Sequence, residues 1–376
     1  MKIAILGTRG IPARYGGFET FAEQLSKRLA DRGHQVTVYC RCPFTKPDDV
    51  EDPRIRRVIL PTISSKFVDT VFHTFLSVIH VSFSDAEVVL LCNVANSPLA
   101  WIPRVFGKPV VFNIDGLDRK RKKWNFLGRF YLLLSEMIAV VTPTRLVTDA
   151  YVIQDYYWRR YRKRSTMIAY GAEVPEGCNN LDGFNLSEKQ YLLYVSRLEP
   201  ENNPELVIRA YRKVDTHWPL VVVGGNPYNS LYVKKLKALA DPRVVFTGPV
   251  YGRAYWRLQN NAGLYLCASE VGGTHPGLVE AMAAGNPVLY LDTPENRETV
   301  ADCGIAFGRD VDGLSRKIFV TIQDSELRAS LGSRARDRAM KDYRWEEITQ
   351  KYEALFQEVL GHRVAQAVSS SASVSK

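Results

Sequence analysis

The most constraining stretch of the chain runs from Ser269 to Val288: Ser-Glu-Val-Gly-Gly-Thr-His-Pro-Gly-Leu-Val-Glu-Ala-Met-Ala-Ala-Gly-Asn-Pro-Val. Just before it, Gly263-Leu264-Tyr265-Leu266-Cys267 is a short apolar, β-prone run, which reads as a buried parallel strand. A turn with two adjacent glycines and a proline follows. Leu278–Ala284 are good helix formers, stopped by Gly285 and Pro287, and Val288–Leu291 is the next strand. A strand, Gly-rich turn, helix and strand place backbone N–H groups and a positive dipole end at the carboxyl edge of a sheet. That edge suits a phosphate or an array of sugar hydroxyls. Glu280, near the helix start, suits two vicinal hydroxyls such as a ribose offers. The alternative is a plain βα unit with Glu280 solvated at a helix N-terminus.

At 376 residues the chain is too long for one typical core, so two domains are expected. The formal net charge is +10, which points to an anionic partner: nucleic acid, anionic lipid or a phosphorylated substrate. Cys40, Cys92 and Cys267 lie in apolar strand-like runs, where cysteine acts as a small hydrophobe. Cys40-Arg41-Cys42 has no zinc-knuckle spacing, so the expectation is a reduced cytosolic protein without a structural metal or cofactor. The N-terminus enters a strand directly, without a signal-peptide pattern, and no apolar run is long enough to span a bilayer.

Residues 2–41 read as strand, loop, helix (Glu19–Arg32) and strand. Phe21, Leu25 and Leu29 share one helical face. Gly7, Gly10, Gly16 and Gly17 do not match G-x-G-x-x-G, which argues against a Rossmann dehydrogenase. Further strands are expected at Arg56–Leu60, Glu87–Cys92, Pro109–Asn113, Tyr191–Val195, Leu220–Val223 and Val244–Gly248. Alternation with helices argues for parallel, doubly wound sheets. Asp115 follows a strand and so lies at a ligand edge, although Asp115-Gly116 also reads as an ordinary turn. The segment Ala172–Ser187, dense in Gly, Asn, Asp and Pro, marks a boundary.

The run Leu278–Val288 resembles the nucleotide-sugar motif of family 4 retaining glycosyltransferases. That resemblance implies an α/β GT-B fold: two Rossmann-like, doubly wound parallel-sheet domains facing a cleft. It places an acceptor-binding domain at 1–175 and a nucleotide-sugar domain at 176–345. A helix at 346–365 crosses back, anchored by Trp345, and a Ser-rich disordered tail follows at 366–376. The family motif has two glutamates with seven residues between; the second matches Glu280, which it assigns to the ribose, and the first falls on Gly272. An arginine and a lysine usually hold the diphosphate; Arg197 matches the first and Asn202 stands at the second. Gly272-Gly273-Thr274-His275-Pro276, Asp115–Trp124 and Glu201-Asn202-Asn203 are similar to a branch of bacterial polysaccharide rhamnosyltransferases, whose N-terminal domain is of the kind called domain of unknown function 1972.

The resemblance implies Asp115, Arg197 and Glu280 as catalytic residues. It implies Gly16, Gly17, Arg197, Asn202, Val250, Tyr251, Thr274, His275, Pro276, Gly277, Leu278 and Glu280 around the donor nucleotide-sugar. No metal or cofactor is implied. Arg9, Arg14 and Arg297 are further anion contacts or plain surface residues. The implied partners are a nucleotide-sugar donor, best dTDP-rhamnose, and a lipid-linked glycan acceptor. Three stretches, Lys66–Val81, Arg119–Leu134 and Tyr156–Arg164, combine apolar or aromatic with basic residues and suit an anionic membrane surface or a solvated helix face. The rivals are the same fold with a UDP- or GDP-sugar, and a non-catalytic membrane- or nucleic-acid-binding protein.

Overall fold

A computed structural model describes residues 1–14, 16–42, 44–49, 52–63, 68–178, 180–181, 183–226 and 229–374, with side chains through 361. Lys66 and Phe67 of the first apolar stretch lie outside the described residues, as do Ser375 and Lys376 of the expected tail. The chain forms two compact units. The first comprises Met1–Arg119, Trp124–Ala169 and Trp345–Lys376; the second comprises Lys120–Lys123 and Tyr170–Arg344.

In chain order the first unit contains β1 (Lys2–Leu6), α1 (Gly17–Asp31), β2 (Gln35–Arg41), β3 (Ile55–Leu60), α2 (Asp69–Ser82) and β4 (Val88–Cys92). It continues with α3 (Trp101–Val105), β5 (Val110–Ile114), α4 (Phe126–Ala139), β6 (Arg145–Thr148), α5 (Tyr151–Tyr161) and β7 (Thr166–Met167). The sheet order is β3-β2-β1-β4-β5-β6-β7, and every pairing is parallel. Val-Val-Leu-Leu-Cys in β4 and Val-Val-Phe-Asn-Ile in β5 are buried at every residue. That pattern belongs to strands covered by helices on both faces.

The second unit contains β8 (Leu192–Val195), α6 (Pro204–Arg212), β9 (Leu220–Val223), α7 (Ser230–Leu239), β10 (Val244–Gly248), α8 (Gly252–Asn260) and β11 (Leu264–Cys267). Then come α9 (Pro276–Ala283), β12 (Val288–Leu291), α10 (Pro294–Val300), β13 (Ile305–Phe307), α11 (Val311–Gln323) and α12 (Ser325–Asp342). Its six strands are parallel in the order β10-β9-β8-β11-β12-β13. Strand order reverses beside β1 in one sheet and beside β8 in the other. Crevices at such reversals, outside the carboxyl ends of the strands, are where doubly wound sheets bind ligands.

The last helix, α13 (Trp345–Val374), belongs to the first unit. Ile348, Tyr352, Leu355, Phe356 and Val359 are buried along it. Trp345 lies 6.4 Å from the Phe21 ring and under the Arg28 guanidinium, and the Asn113 amide donates to the Tyr352 hydroxyl. Arg32 of the α1 C-cap pairs with Glu353 and Glu346. The backbone stays helical past 365, where a disordered tail was expected. No proline follows Gly361 to break the ladder.

Candidate active site

The turn between β11 and α9 sits at the reversal point of the second sheet. Pro276 occupies the first turn of α9, where its missing N–H costs nothing, and His275 is the N-cap. Gly285, with φ +72°, ends the helix as a left-handed cap. The strand, turn, helix and strand read from the sequence are therefore present.

Glu280 is buried, so the reading of a solvated surface carboxylate is corrected. It is the fifth of the eight residues of α9, past the first turn, on a helix buried at every residue from Leu278 to Ala283. The Tyr255 hydroxyl donates to Glu280 Oε2, and Gln259 Nε2 donates to Tyr255 Oη at 2.7 Å. Burial pushes the Glu280 carboxyl up to about 7, with the Tyr255 hydrogen bond pulling the other way. Tyr255 and Gln259, one turn apart on α8, escape a sequence reading because their partner lies about two dozen residues away. The only local signal is their i, i+4 spacing.

Gly272 stands where the resemblance places a glutamate. A Cβ added there would collide with the His275 imidazole, which lies against the glycine. His275 Nε2 is buried without a hydrogen-bond partner. Burial, together with the charges of Arg121 and Arg197, lowers the imidazole to about 4, so it is neutral at physiological pH. Thr274 is buried beside it, Gly277 and Pro276 are half-buried, and Leu278 is in the core.

Arg197 begins the turn after β8, at the same reversal point. Asn202 does not offer its amide as a substitute cation. Its Nδ2 donates to the Arg197 carbonyl at 2.7 Å, and its own carbonyl accepts from Tyr194 Oη at 2.6 Å. These two hydrogen bonds brace the turn. Asn203 adopts φ +53°, a conformation that asparagine tolerates, and its amide donates to the Ala268 carbonyl at 2.8 Å. Glu270 N donates to the Glu201 carbonyl at 3.0 Å, so the β8 and β11 loops are stitched together.

Charge is concentrated here. Lys122 and Arg309 both reach the Glu270 carboxylate, at 3.0 and 3.1 Å. Glu199 and Glu201 are buried side by side. Burial opposes ionisation of both. Arg197, Lys123 and Arg121 nonetheless hold Glu199 below the usual range, while burial and the Glu199 charge push Glu201 above it. Of the two, Glu201 is the weaker acid. Arg121, Glu270, Glu199 and Glu201 are site residues the sequence reading missed; Arg121 looked like one more cation of a basic surface run.

Val250 and Tyr251 lie between β10 and α8, also at the carboxyl edge, with Tyr251 exposed as the N-cap of α8. Arg297 forms a two-pronged pair with Asp292 at 3.0 and 2.7 Å on the surface. Asp115, Gly16 and Gly17 belong to the first unit. Asp115 directly follows β5, and Gly16 caps α1 with its carbonyl accepting from Glu19 and Thr20 N–H. Glu19 and Glu23 hold the loop before α1 through the Arg9 and Ala13 N–H groups, at 2.9 and 2.6 Å. Arg14 pairs with Asp49, and Arg9 lies over the Phe44 ring at 4.3 Å. Among the described residues, no group of three or more His, Cys, Asp and Glu side chains is placed to hold a metal ion.

Two all-parallel doubly wound units, one with a Gly-rich turn and buried glutamate at its reversal point, define a protein of the GT-B fold. The chain carries a Glycosyltransferase Family 4 domain over residues 15–163 and a Glycosyl transferases group 1 domain over residues 182–338, and it is a glycosyltransferase. It is 27% identical to N-acetyl-alpha-D-glucosaminyl L-malate synthase of Bacillus anthracis, over 92% of this chain and 94% of that one. It is 29% identical to phosphatidyl-myo-inositol mannosyltransferase of Mycolicibacterium smegmatis, over 56% of this chain and 58% of that one. Sucrose-phosphate synthase of Thermosynechococcus elongatus superposes with a TM-score of 0.80 at 20% identity, over 96% of this chain and 99% of that one. Anabaena HepE in complex with UDP-glucose superposes with a TM-score of 0.77 at 18% identity, over 95% of this chain and 100% of that one.

Proposed function

We propose that this glycosyltransferase moves a hexose from a nucleotide-sugar donor, with retention of configuration, to a lipid-linked or polysaccharide acceptor in bacterial surface-glycan synthesis. The carrying observation is Glu280, buried in the middle of α9 and held by Tyr255. A buried carboxylate with one fixed partner keeps acceptor capacity for the two vicinal hydroxyls of a ribose. Arg197 and the backbone N–H groups of Thr274, His275 and Gly277 take the charge that develops on the departing diphosphate. The bond from the sugar carbon to the diphosphate oxygen breaks as the acceptor oxygen bonds to that carbon on the same face. The acceptor proton passes to the departing phosphate oxygen. Asp115 and the Gly16-Gly17 turn, on the carboxyl edge of the first sheet, position the acceptor hydroxyl.

L-Rhamnose from dTDP-rhamnose is the favoured donor. The stretches 115–124, 197–203 and 272–276 support it. So does the neutral imidazole against Gly272, which offers fewer hydrogen bonds than a carboxylate and suits a deoxy sugar. A UDP-sugar is the second reading, favoured by the HepE complexes with UDP and UDP-glucose. Work on a lipid-linked acceptor would place the protein peripherally on an anionic bilayer, on the inner face of the cell membrane.

A thermal-shift panel of dTDP-, UDP- and GDP-sugars at about 1 mM tests the donor. A dissociation constant of about 10 μM gives roughly 2.7 kcal/mol of stabilisation, several degrees for a unit of this size. A shift with dTDP-rhamnose alone, lost in Glu280→Ala, is the expected result. A shift with UDP- or GDP-sugars instead discards rhamnose, and no shift with any of them discards the donor site.

A further inference from the structure

Three stretches of the chain combine apolar and basic residues, and the fold treats them differently. On α2, Val78 and Val81 are buried, Val71, Phe72 and Leu76 are half-buried, and Phe75 and Ile79 are exposed, so its apolar side chains are spread between core and surface. On α5, Ile153 and Tyr157 face the core, and the Tyr156 and Tyr161 hydroxyls turn to a carboxylate on α4. Helix α4 is apolar on two faces and exposes more large apolar side chains than α2. Its inner face buries Leu132, Ser135, Glu136 and Ala139. Phe126, Phe130, Leu134 and Met137, with Val141 just past its end, recur at helical spacing on the outer side. Their exposure runs from 40% at Leu134 to 81% at Phe126. Solvent-facing helix surfaces are ordinarily polar, and an uncovered stripe of this length marks an interaction site.

The charge around the stripe names the occupant. The one acidic residue of α4, Glu136, is buried inward and taken up by Arg119 Nε at 3.0 Å and Tyr156 Oη at 3.0 Å. No acid is left on the outer face. Arg129 is exposed on α4 itself. Exposed Arg104, whose guanidinium donates to the Thr142 carbonyl, stands at its C-terminal end, and Arg160 of neighbouring α5 is exposed as well. Exposed Trp101 and Val105 extend the apolar surface on α3.

We infer that the outer face of α4 is a bilayer-docking surface. The helix lies flat at the headgroup boundary, with its apolar stripe among the acyl chains and its arginines on anionic phosphates. Among the described residues no helix is long and apolar enough to cross a membrane, so this contact is peripheral. The inference rests on the lipid-linked acceptor of the proposed function and is independent of the donor.

The full chain is sedimented with phosphatidylcholine vesicles and with vesicles carrying about a third phosphatidylglycerol. The comparison is the triple variant Phe126→Ser, Phe130→Ser, Met137→Ser. The expected result is binding to anionic vesicles, weakened by salt, little binding to neutral ones, and at least a tenfold loss in the triple variant with melting unchanged. A second variant, Arg104→Ala with Arg129→Ala, should lose the salt-sensitive part only. Equal partitioning of wild type and triple variant overturns the proposal, as does a wild type that stays in the supernatant. A wild-type dimer that the triple variant dissociates, without vesicle binding, overturns it in favour of a second copy on this face. The nucleotide-sugar shift is read on the same samples. If it is absent while vesicle binding behaves as expected, the donor reading fails and the docking surface stands.

Discussion

A carboxyl group that burial raises to about 7 is costly to the folded protein whenever it is ionised, and Glu280 is such a group. Its pKa in the unfolded chain is near 4.5, so between the two values the folded state holds more protons. Stability from this group is therefore present below about pH 4.5 and is lost as pH rises towards 7. At about 1.36 kcal/mol per pKa unit the loss is about 3 kcal/mol. Glu280→Gln should melt progressively higher than wild type as pH rises from about 4.5 to about 8, while its nucleotide-sugar shift disappears. A melting difference that stays flat across that range contradicts the buried environment. His275 has the opposite sign. Its pKa falls from about 6.5 to about 4 on folding, so its contribution is lost as pH drops through that window. Gly272→Ala drives a methyl group into the His275 ring and should cost about 1–3 kcal/mol. Adding His275→Ala should recover most of that loss. Additive melting shifts in that double-mutant cycle would mean the two residues are not in contact.

At the scale of elements, the stitched loops after β8 and β11 decide where Arg197 stands. Asn202 holds the Arg197 carbonyl and is buried. Asn202→Lys would restore the cation that the resemblance expects. It should nevertheless weaken the nucleotide-sugar shift and cost about 1–2 kcal/mol, because the brace is lost and a long side chain has no room. A stronger shift in that variant would show that the missing cation matters more than the brace. The βα alternation was legible from apolar runs and Gly/Pro punctuation, and α9 begins at Pro276, close to where the helix formers placed it. The charge network was not legible. Arg121 looked like a surface cation because its neighbours Arg119, Lys120 and Lys122 are basic too. Only the fold, by grouping Lys120–Lys123 with the second unit, brings it within reach of Glu199 and His275. Likewise the sequence marked three apolar-basic stretches alike, since composition cannot tell which helix face a sheet will cover.

At the scale of the whole molecule, the chain builds one unit from both of its ends. Helix α13 closes the first unit through Trp345 against Phe21 and through Tyr352, whose hydroxyl accepts from the buried Asn113 amide. Tyr352→Phe strands that amide and should cost the first unit about 1–3 kcal/mol. By calorimetry the first unit should melt earlier, with the nucleotide-sugar shift, which we propose for the second unit, retained. Loss of that shift in Tyr352→Phe would mean the two units do not unfold separately.

Local chemistry was enough to announce two parallel α/β units, a Gly-rich turn at a sheet edge and Glu280 beside it, because strand burial, helix stops and turn residues are written in neighbouring positions. The tertiary structure alone decided that Glu280 is buried against Tyr255, that an imidazole fills the space beside Gly272, that the Asn202 amide holds the Arg197 carbonyl, and that α4 keeps an apolar face uncovered. Those outcomes depend on desolvation and contact between residues far apart in the chain. Neither quantity has a local signature; both are fixed only when the strands take their order and the helices choose which face to bury.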